Sequence, residues 1–251
     1  YDQEPFLSHD GLTLYFSSNR PGGKGGSDLY FVRRPNLGAP FGNPEPYNLL
    51  NTVDNEWRFI ITADGLTAYL SCDWPGGAGG ADLWWATRAT TQTPFQRSDF
   101  KPLNSLNTPT DEHDPYPSAD HKRPYFYSTD WESPGSAADL LVAERTGPGT
   151  FAKPVPIPGV NAFPFSEGNP VVSADELMLV FSSTRAGSND LWLATRASTT
   201  MPFVVQHALP PIISSPTGHE NNQHITADGC GLYFGRNDSL FFARVLPPGG
   251  S

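Results

Sequence analysis

Cysteine is nearly absent: the 251-residue chain has two, Cys72 and Cys230. They fall at different places in different repeats, so no disulfide is expected between them, and the count leaves the redox compartment open. Basic residues are also scarce. Lys and Arg total 16 against 26 Asp and Glu, a net charge of −10, which argues against nucleic acid as a partner. No apolar run approaches the roughly 20 residues of a membrane-spanning helix, and no segment sustains a 3.6-residue period, so neither a membrane span nor substantial helix is expected. Catalytic signatures are missing too: there is no Gly-x-Ser-x-Gly elbow, no phosphate loop ending in Lys-Ser/Thr, and neither cysteine sits in a motif. The chain begins at Tyr1 with neither methionine nor leader, as a mature or trimmed form would.

Glycine (24) and proline (26) are plentiful instead, a mix suited to short strands joined by turns. The stretch from Ser8 to Tyr30 reads as strand, Asp10-Gly11 turn, strand, glycine loop, strand. It recurs. Turn aspartates stand at Asp10, Asp64, Asp120, Asp175 and Asp228, and each repeat carries a later Asp followed six residues on by Arg, as in Asp28 and Arg34. A fourth element is expected around Phe41, Phe95, Phe151 and Phe203. A strand-rich period of this length is the mark of propeller blades.

The Ser-x-Asp-Gly turn, the Tyr-Phe-Ser-Ser-Asn-Arg strand and the Asp-Leu-Tyr/Trp strand resemble the TolB-type (WD40-like) propeller repeat. The expectation is a single all-β domain of five blades, 1–54, 55–110, 111–165, 166–218 and 219–251, each a four-stranded antiparallel sheet. The last blade has three strands or has lost a terminal piece. Inner strands are expected near 4–9, 57–62, 114–119, 169–174 and 222–227, each paired within its own blade. The resemblance further implies a periplasmic or extracellular location. It says little about activity, because propellers host many functions.

Eight residues before each turn aspartate stands an acid: Asp2, Glu56, Glu112, Glu167 and Glu220. At the entry of the innermost strands they would ring one mouth of the channel and concentrate negative potential there. The competing reading is a repeated clip, each acid accepting backbone hydrogen bonds in its own blade. Positions that vary between blades are more telling. After the second strands come Asn19-Arg20, Asp73-Trp74, Asp130-Trp131, Thr184-Arg185 and Asn237-Asp238, which sets Trp74 and Trp131 in matching places. Blades two and three thus gather Trp57, Asp73, Trp74, Glu112, His113, Asp114, Asp130 and Trp131 on one face. Flat aromatics beside carboxylates are how proteins hold sugar rings, although packing of the glycine loops is the alternative for the tryptophans.

The expected function is therefore a binding or scaffolding module for a glycan, a peptide or a partner protein, acting as a monomer. The rival is a glycoside hydrolase or polysaccharide lyase using carboxylates and His113 on that face. No cofactor is expected. A calcium ion near the acids would find oxygen ligands, without an EF-hand pattern to support it. His219 and His224 are five apart in a strand, so they face opposite ways and do not form a zinc motif.

Overall fold

The computed structural model describes residues 1–131, 137–210, 213, 219–226 and 228–244. It is a five-bladed propeller. In chain order from the axis outward, strands A to D of blade one are Asp2–Leu7, Thr13–Ser18, Asp28–Arg33 and Glu45–Pro46. Blade two has Glu56–Ile61, Thr67–Cys72, Asp82–Thr87 and Lys101–Pro102. Blade three has Glu112–Pro117, Pro124–Ser128, Asp139–Val142 and Val155–Pro156, with a side hairpin of Arg145–Gly147 and Thr150–Phe151. Blade four has Glu167–Val172, Met178–Ser183, Asp190–Thr195 and Val204–Ala208. Blade five has Glu220–Ile225, Gly231–Arg236 and Ser239–Arg244, three strands among the described residues. The helical content of the described residues is one 3-10 turn, Arg97–Asp99.

Two expectations shift. Each A strand begins at the blade-entry acid, about two residues earlier than the alternation suggested. The D strands lie beyond the four phenylalanines. Phe95 and Phe203 are buried, and Phe41, Phe95 and Phe203 lie under the guanidinium groups of Arg34, Arg88 and Arg196, 4.3–4.7 Å from the ring centres. The same arginines donate from Nε to the A–B turn carbonyls of Gly11, Gly65 and Glu176 at 2.6–2.7 Å. In blades one, two and four the Arg of the repeated Asp-to-Arg spacing therefore holds the blade's outer half to its first turn, whereas Arg145 of blade three donates to Gly147 instead.

The glycine loop is explained by the aspartate behind it. Asp28 accepts from the amides of Lys24 and Gly25, and Asp82 from those of Ala78 and Gly79. A side chain at Gly23 or Gly77 would put its Cβ within 2.0 Å of that carboxylate. The loop wraps a fixed internal anion, so its amides do not cradle a phosphate.

One backbone hydrogen bond recurs at every seam of the ring. The amide of each blade-entry acid donates to the carbonyl that opens strand C of the blade before, or lies beside it: Glu56 to Ser27, Glu112 to Ala81, Glu167 to Ala138 and Glu220 to Asn189, all 2.8–2.9 Å. Asp2 completes the circle by donating to Asp238 at 3.0 Å. The A strands thus take their ladders within their blades and repeat one backbone bond across each seam, with side-chain bonds such as Ser27 Oγ to the Glu56 carbonyl beside it.

Candidate functional site

Every A strand bulges just inside the channel. In four blades the register breaks between the first and fourth residues after the acid, as between Gln3 and Phe6, and in blade two between Glu56 itself and Phe59. The second residue after the acid is Glu4, Arg58, Asp114, Asn169 or Asn222, and all except Arg58 are left-handed, with φ between 52° and 56°. Asp and Asn take that conformation at modest cost. The bulge turns these five polar side chains onto one another. Arg58 pairs with Glu4 at 3.1 Å and donates to the Gln223 carbonyl at 2.7 Å. The Asn169 amide donates to Asp114 and, at 2.7 Å, to Asn222. Burial pushes the Glu4 carboxyl well above the usual range, and Asp114, hydrogen-bonded beside it, pushes it further.

The blade-entry acids do not stand free at the mouth. Glu56, Glu112, Glu167 and Glu220 are buried. Glu112 accepts from the Thr108 amide and hydroxyl and from Ser128. Glu167 pairs with Arg185 at 2.7 Å, Glu220 with Arg236 at 2.6 Å, and half-buried Asp2 with Arg20 at 2.6 Å. Glu56 accepts from Thr52 and, at 2.5 Å, from the Trp74 indole. Each acid is held by donors from its own blade or from the loop leading into it, as a clip would be, although Glu220 Oε2 is buried without a partner.

This accounts for Trp74. It replaces the arginines of blades one and four as donor to the blade-entry carboxylate. It is 2% exposed, packs edge-on against Trp84 and Phe100, and has Arg97 over its ring at 4.0 Å. The ladder registers also correct the pairing of places. Glu56 lies opposite Cys72 and Glu112 opposite Ser128, so Asp130, not Trp131, matches Trp74. Trp131 is half-buried against the core between blades two and three. Asp73 is engaged by the amide and side chain of Asn55 at 2.5 and 2.7 Å, and Asp130 has a left-handed backbone, φ 55°. The eight-residue sector is thus split: Trp74 and Glu112 face inward, Asp73 is tied to Asn55, and Asp114 belongs to the channel network.

Trp57 and His113 do come together at the mouth. Their rings meet edge-on at 5.1 Å, and His113 stacks on Tyr127 at 5.2 Å. The three half-buried rings form one wall of a cleft of about 420 Å³, with Gln3, Asn221 and Asn222 on other sides and Glu4 at its floor. Burial lowers the His113 pKa, so its ring is neutral at pH 7 and has a polar edge to offer. Sequence reasoning passed over Tyr127, although a signal exists. Fifteen residues after each acid come Ser17, Ser71, Tyr127, Ser182 and Gly235, four small residues and one large ring. Tyr127 lies directly opposite His113 in the ladder.

Among the described residues, no group of three or more His, Cys, Asp or Glu is placed to hold a metal ion. His219 is exposed and His224 is buried. Both cysteines are free.

Burial also pushes the Glu112 carboxyl up, and that of Glu56 to about 7. The cause is desolvation rather than mutual repulsion of a ring of acids. A folded pKa above the unfolded one gives stability that is full below about pH 4.5 and is lost as pH rises through 7. His224, held down to about 3, works oppositely: its contribution is full above about pH 6.5 and fades on acidification. The melting temperature is therefore expected to rise between pH 8 and 6.5, with the gain opposed below 6.5. Glu56→Gln should flatten the upper part of this profile. An unchanged slope in that variant would remove Glu56 as its source.

No protein-family model matches the sequence, and no curated protein resembles it significantly. Solved structures do share the fold. An α-L-arabinofuranosidase from Lactobacillus brevis superposes with a TM-score of 0.63 at 12% identity, over 95% of this chain and 84% of that one. An endo-arabinase from Bacteroides thetaiotaomicron gives 0.61 at 11%, over 99% and 95%. A putative TolB from Agrobacterium tumefaciens gives 0.56 at 16%, over 95% and 70%. The class is thus a β-propeller whose structural neighbours include TolB-like proteins. At these identities the likeness is one of fold.

Proposed function

We propose that this propeller is an exported glycan-binding module whose site is the cleft walled by Trp57, His113 and Tyr127. The observation that carries the reading is this run of three rings facing amide side chains across a concave mouth. A sugar offers an apolar ring face to the aromatics and hydroxyls to Gln3, Asn221 and the His113 edge. Trp57, His113 and Tyr127 all break the five-fold pattern, which a common structural role would not require. Export is favoured by the TolB-like neighbours.

Binding fits this mouth better than hydrolysis. A glycosidase needs two carboxyls roughly 5–5.5 Å or 6.5–9.5 Å apart, one on each side of the bond cleaved. Here Glu4 is paired with Arg58 and Asp114 is bonded by Asn169, and Glu56 and Glu112 are consumed by their clips. The test is a glycan array followed by calorimetry on the best ligand and analysis for cleaved products. Trp57→Ala is expected to weaken binding by about 1–3 kcal/mol while moving the melting temperature little, since the indole is only half-buried. Binding unaffected by Trp57→Ala would remove the site. Cleaved product from the wild type but not from Glu4→Gln would favour the enzyme reading.

A further inference from the structure

The outer edge of blade five differs from every other edge in the ring. In each blade a leucine holds the same place in strand C: Leu29, Leu83, Leu140, Leu191 and Leu240. In the first four blades its carbonyl accepts from the amide that follows strand D, that of Tyr47, Leu103, Ile157 or Leu209, at 2.7–2.9 Å. In blades one to three an asparagine also brackets the leucine. Asn51 accepts from the Leu29 amide at 2.9 Å and donates to its carbonyl at 3.0 Å, and Asn107 and Asn161 repeat this on Leu83 and Leu140. Among the described residues Leu240 has neither partner, because blade five ends at strand C. The position after the leucine shows the result. Tyr30, Trp84 and Leu141 pair with strand D and are buried, whereas their counterpart Phe241 is 41% exposed and its neighbour Phe242 55%. An open strand edge beside exposed rings is a template for one more strand.

The other blades show what that strand must look like. The chain covering blades one to three reads Pro-Tyr-Asn-Leu-Leu-Asn from Pro46, Pro-Leu-Asn-Ser-Leu-Asn from Pro102 and Pro-Ile-Pro-Gly-Val-Asn from Pro156. The shared pattern is Pro-Φ-x-x-Φ-Asn, with Φ apolar or aromatic. The first Φ supplies the amide, the second (Leu50, Leu106 or Val160) is buried, and the asparagine closes on the leucine. Charge narrows the pattern. Arg33 and Arg244 hold equivalent places, where blades two and four have Thr87 and Thr195. In blade one Glu45 stands opposite Phe31, the ring beneath Arg33 at 4.4 Å, while blades two and four put Lys101 and His207 there. An acid before the proline therefore suits blade five, whose Arg244 is exposed.

We infer that the open edge of blade five is a docking site for an extended segment of a partner protein with the pattern acid-Pro-Φ-x-x-Φ-Asn, added as a fourth antiparallel strand. Its proline lies beside Phe241, the amide of its first Φ donates to the Leu240 carbonyl, and its asparagine brackets Leu240. The surface is on the outer rim, away from the cleft at the axis.

The experiment titrates a fluorescent peptide, Asn-Pro-Glu-Pro-Tyr-Asn-Leu-Leu-Asn-Thr, into the full chain and follows anisotropy. The peptide copies residues 43–52. Saturable binding is expected, with slowed hydrogen exchange in strand Ser239–Arg244 and no change in the other C strands. Methylating the amide nitrogen of the peptide's tyrosine removes the donor to Leu240 and should weaken binding about tenfold, the value of one good hydrogen bond. Asn51→Leu in the peptide removes both bracket bonds and should weaken it at least as much. Glu45→Lys in the peptide should weaken binding at low salt, with the difference shrinking as salt rises. These changes are all made in the peptide, so no variant of the protein has to fold. Absence of binding, equal affinity of the N-methylated peptide, or protection outside strand C of blade five would each overturn the proposal. A dimer in sedimentation that excludes the peptide would also overturn it, by giving the edge to a second copy. None of these results bears on the glycan cleft.

Discussion

Replacing Trp74 with alanine is expected to cost about 3–5 kcal/mol of folding stability, the range for removing a large buried aromatic. The indole is fully enclosed by Trp84 and Phe100 and roofed by Arg97. Its loss opens a cavity and also takes the Nε1 donor from Glu56, a carboxylate with no exposed surface. Trp74→Phe separates the two effects. It preserves much of the packing and should cost about 1–3 kcal/mol, the penalty for under-satisfying a buried acceptor. Urea denaturation of both variants at pH 8 and pH 5 gives the answer. The Phe variant should lose less at pH 5, where Glu56 is protonated and needs the indole less. Little loss in the Ala variant, combined with impaired ligand binding, would return Trp74 to the binding face.

The second large effect is expected at Arg58. Its guanidinium is 1% exposed and is the cation set against Glu4 and Asp114 inside the channel. Arg58→Met leaves a carboxyl pair buried without its counter-charge, a change that typically costs about 3–5 kcal/mol. The loss should be greatest at pH 8 and smaller at pH 5. Removing the arginine lifts the Glu4 pKa further, so acid neutralises the offending charge. Adding Glu4→Gln to Arg58→Met should recover stability at pH 8. Equal losses at both pH values, with no recovery from the second change, would mean that the arginine acts by packing alone.

Much of the architecture was readable from spacing. The recurring turn aspartates define five blades, and the acid in front of each marks where strand A begins. The role of those acids was readable in outline, because a feature present in every blade is more economically a clip than a site. The Arg-to-Trp exchange at position 74 was harder. Arginine and tryptophan look like a change of purpose, yet both reach one carboxylate with an N–H. Residue type showed the difference and geometry showed the equivalence. Counted as Asp-Trp pairs, Trp131 matches Trp74, whereas the ladder sets Ser128 opposite Glu112 and gives the place to Asp130. The bulge was hidden for a related reason. Alternation predicts a regular strand, and nothing in Glu4, Asp114, Asn169 and Asn222 beyond shared polarity announces a left-handed turn of the backbone. Tyr127 is the instructive case. It is the one departure in a set of five equivalent positions, visible only once the repeats are stacked on the correct residue.

The network of Glu4, Arg58, Asp114, Asn169 and Asn222 is a septum. It divides what would be a through-going bore into two blind wells, one walled by Trp57 and His113, the other by Phe6 and Tyr116. The network crosses the axis, and the two wells open at opposite ends of the propeller. Its two ends share one wall and no common space.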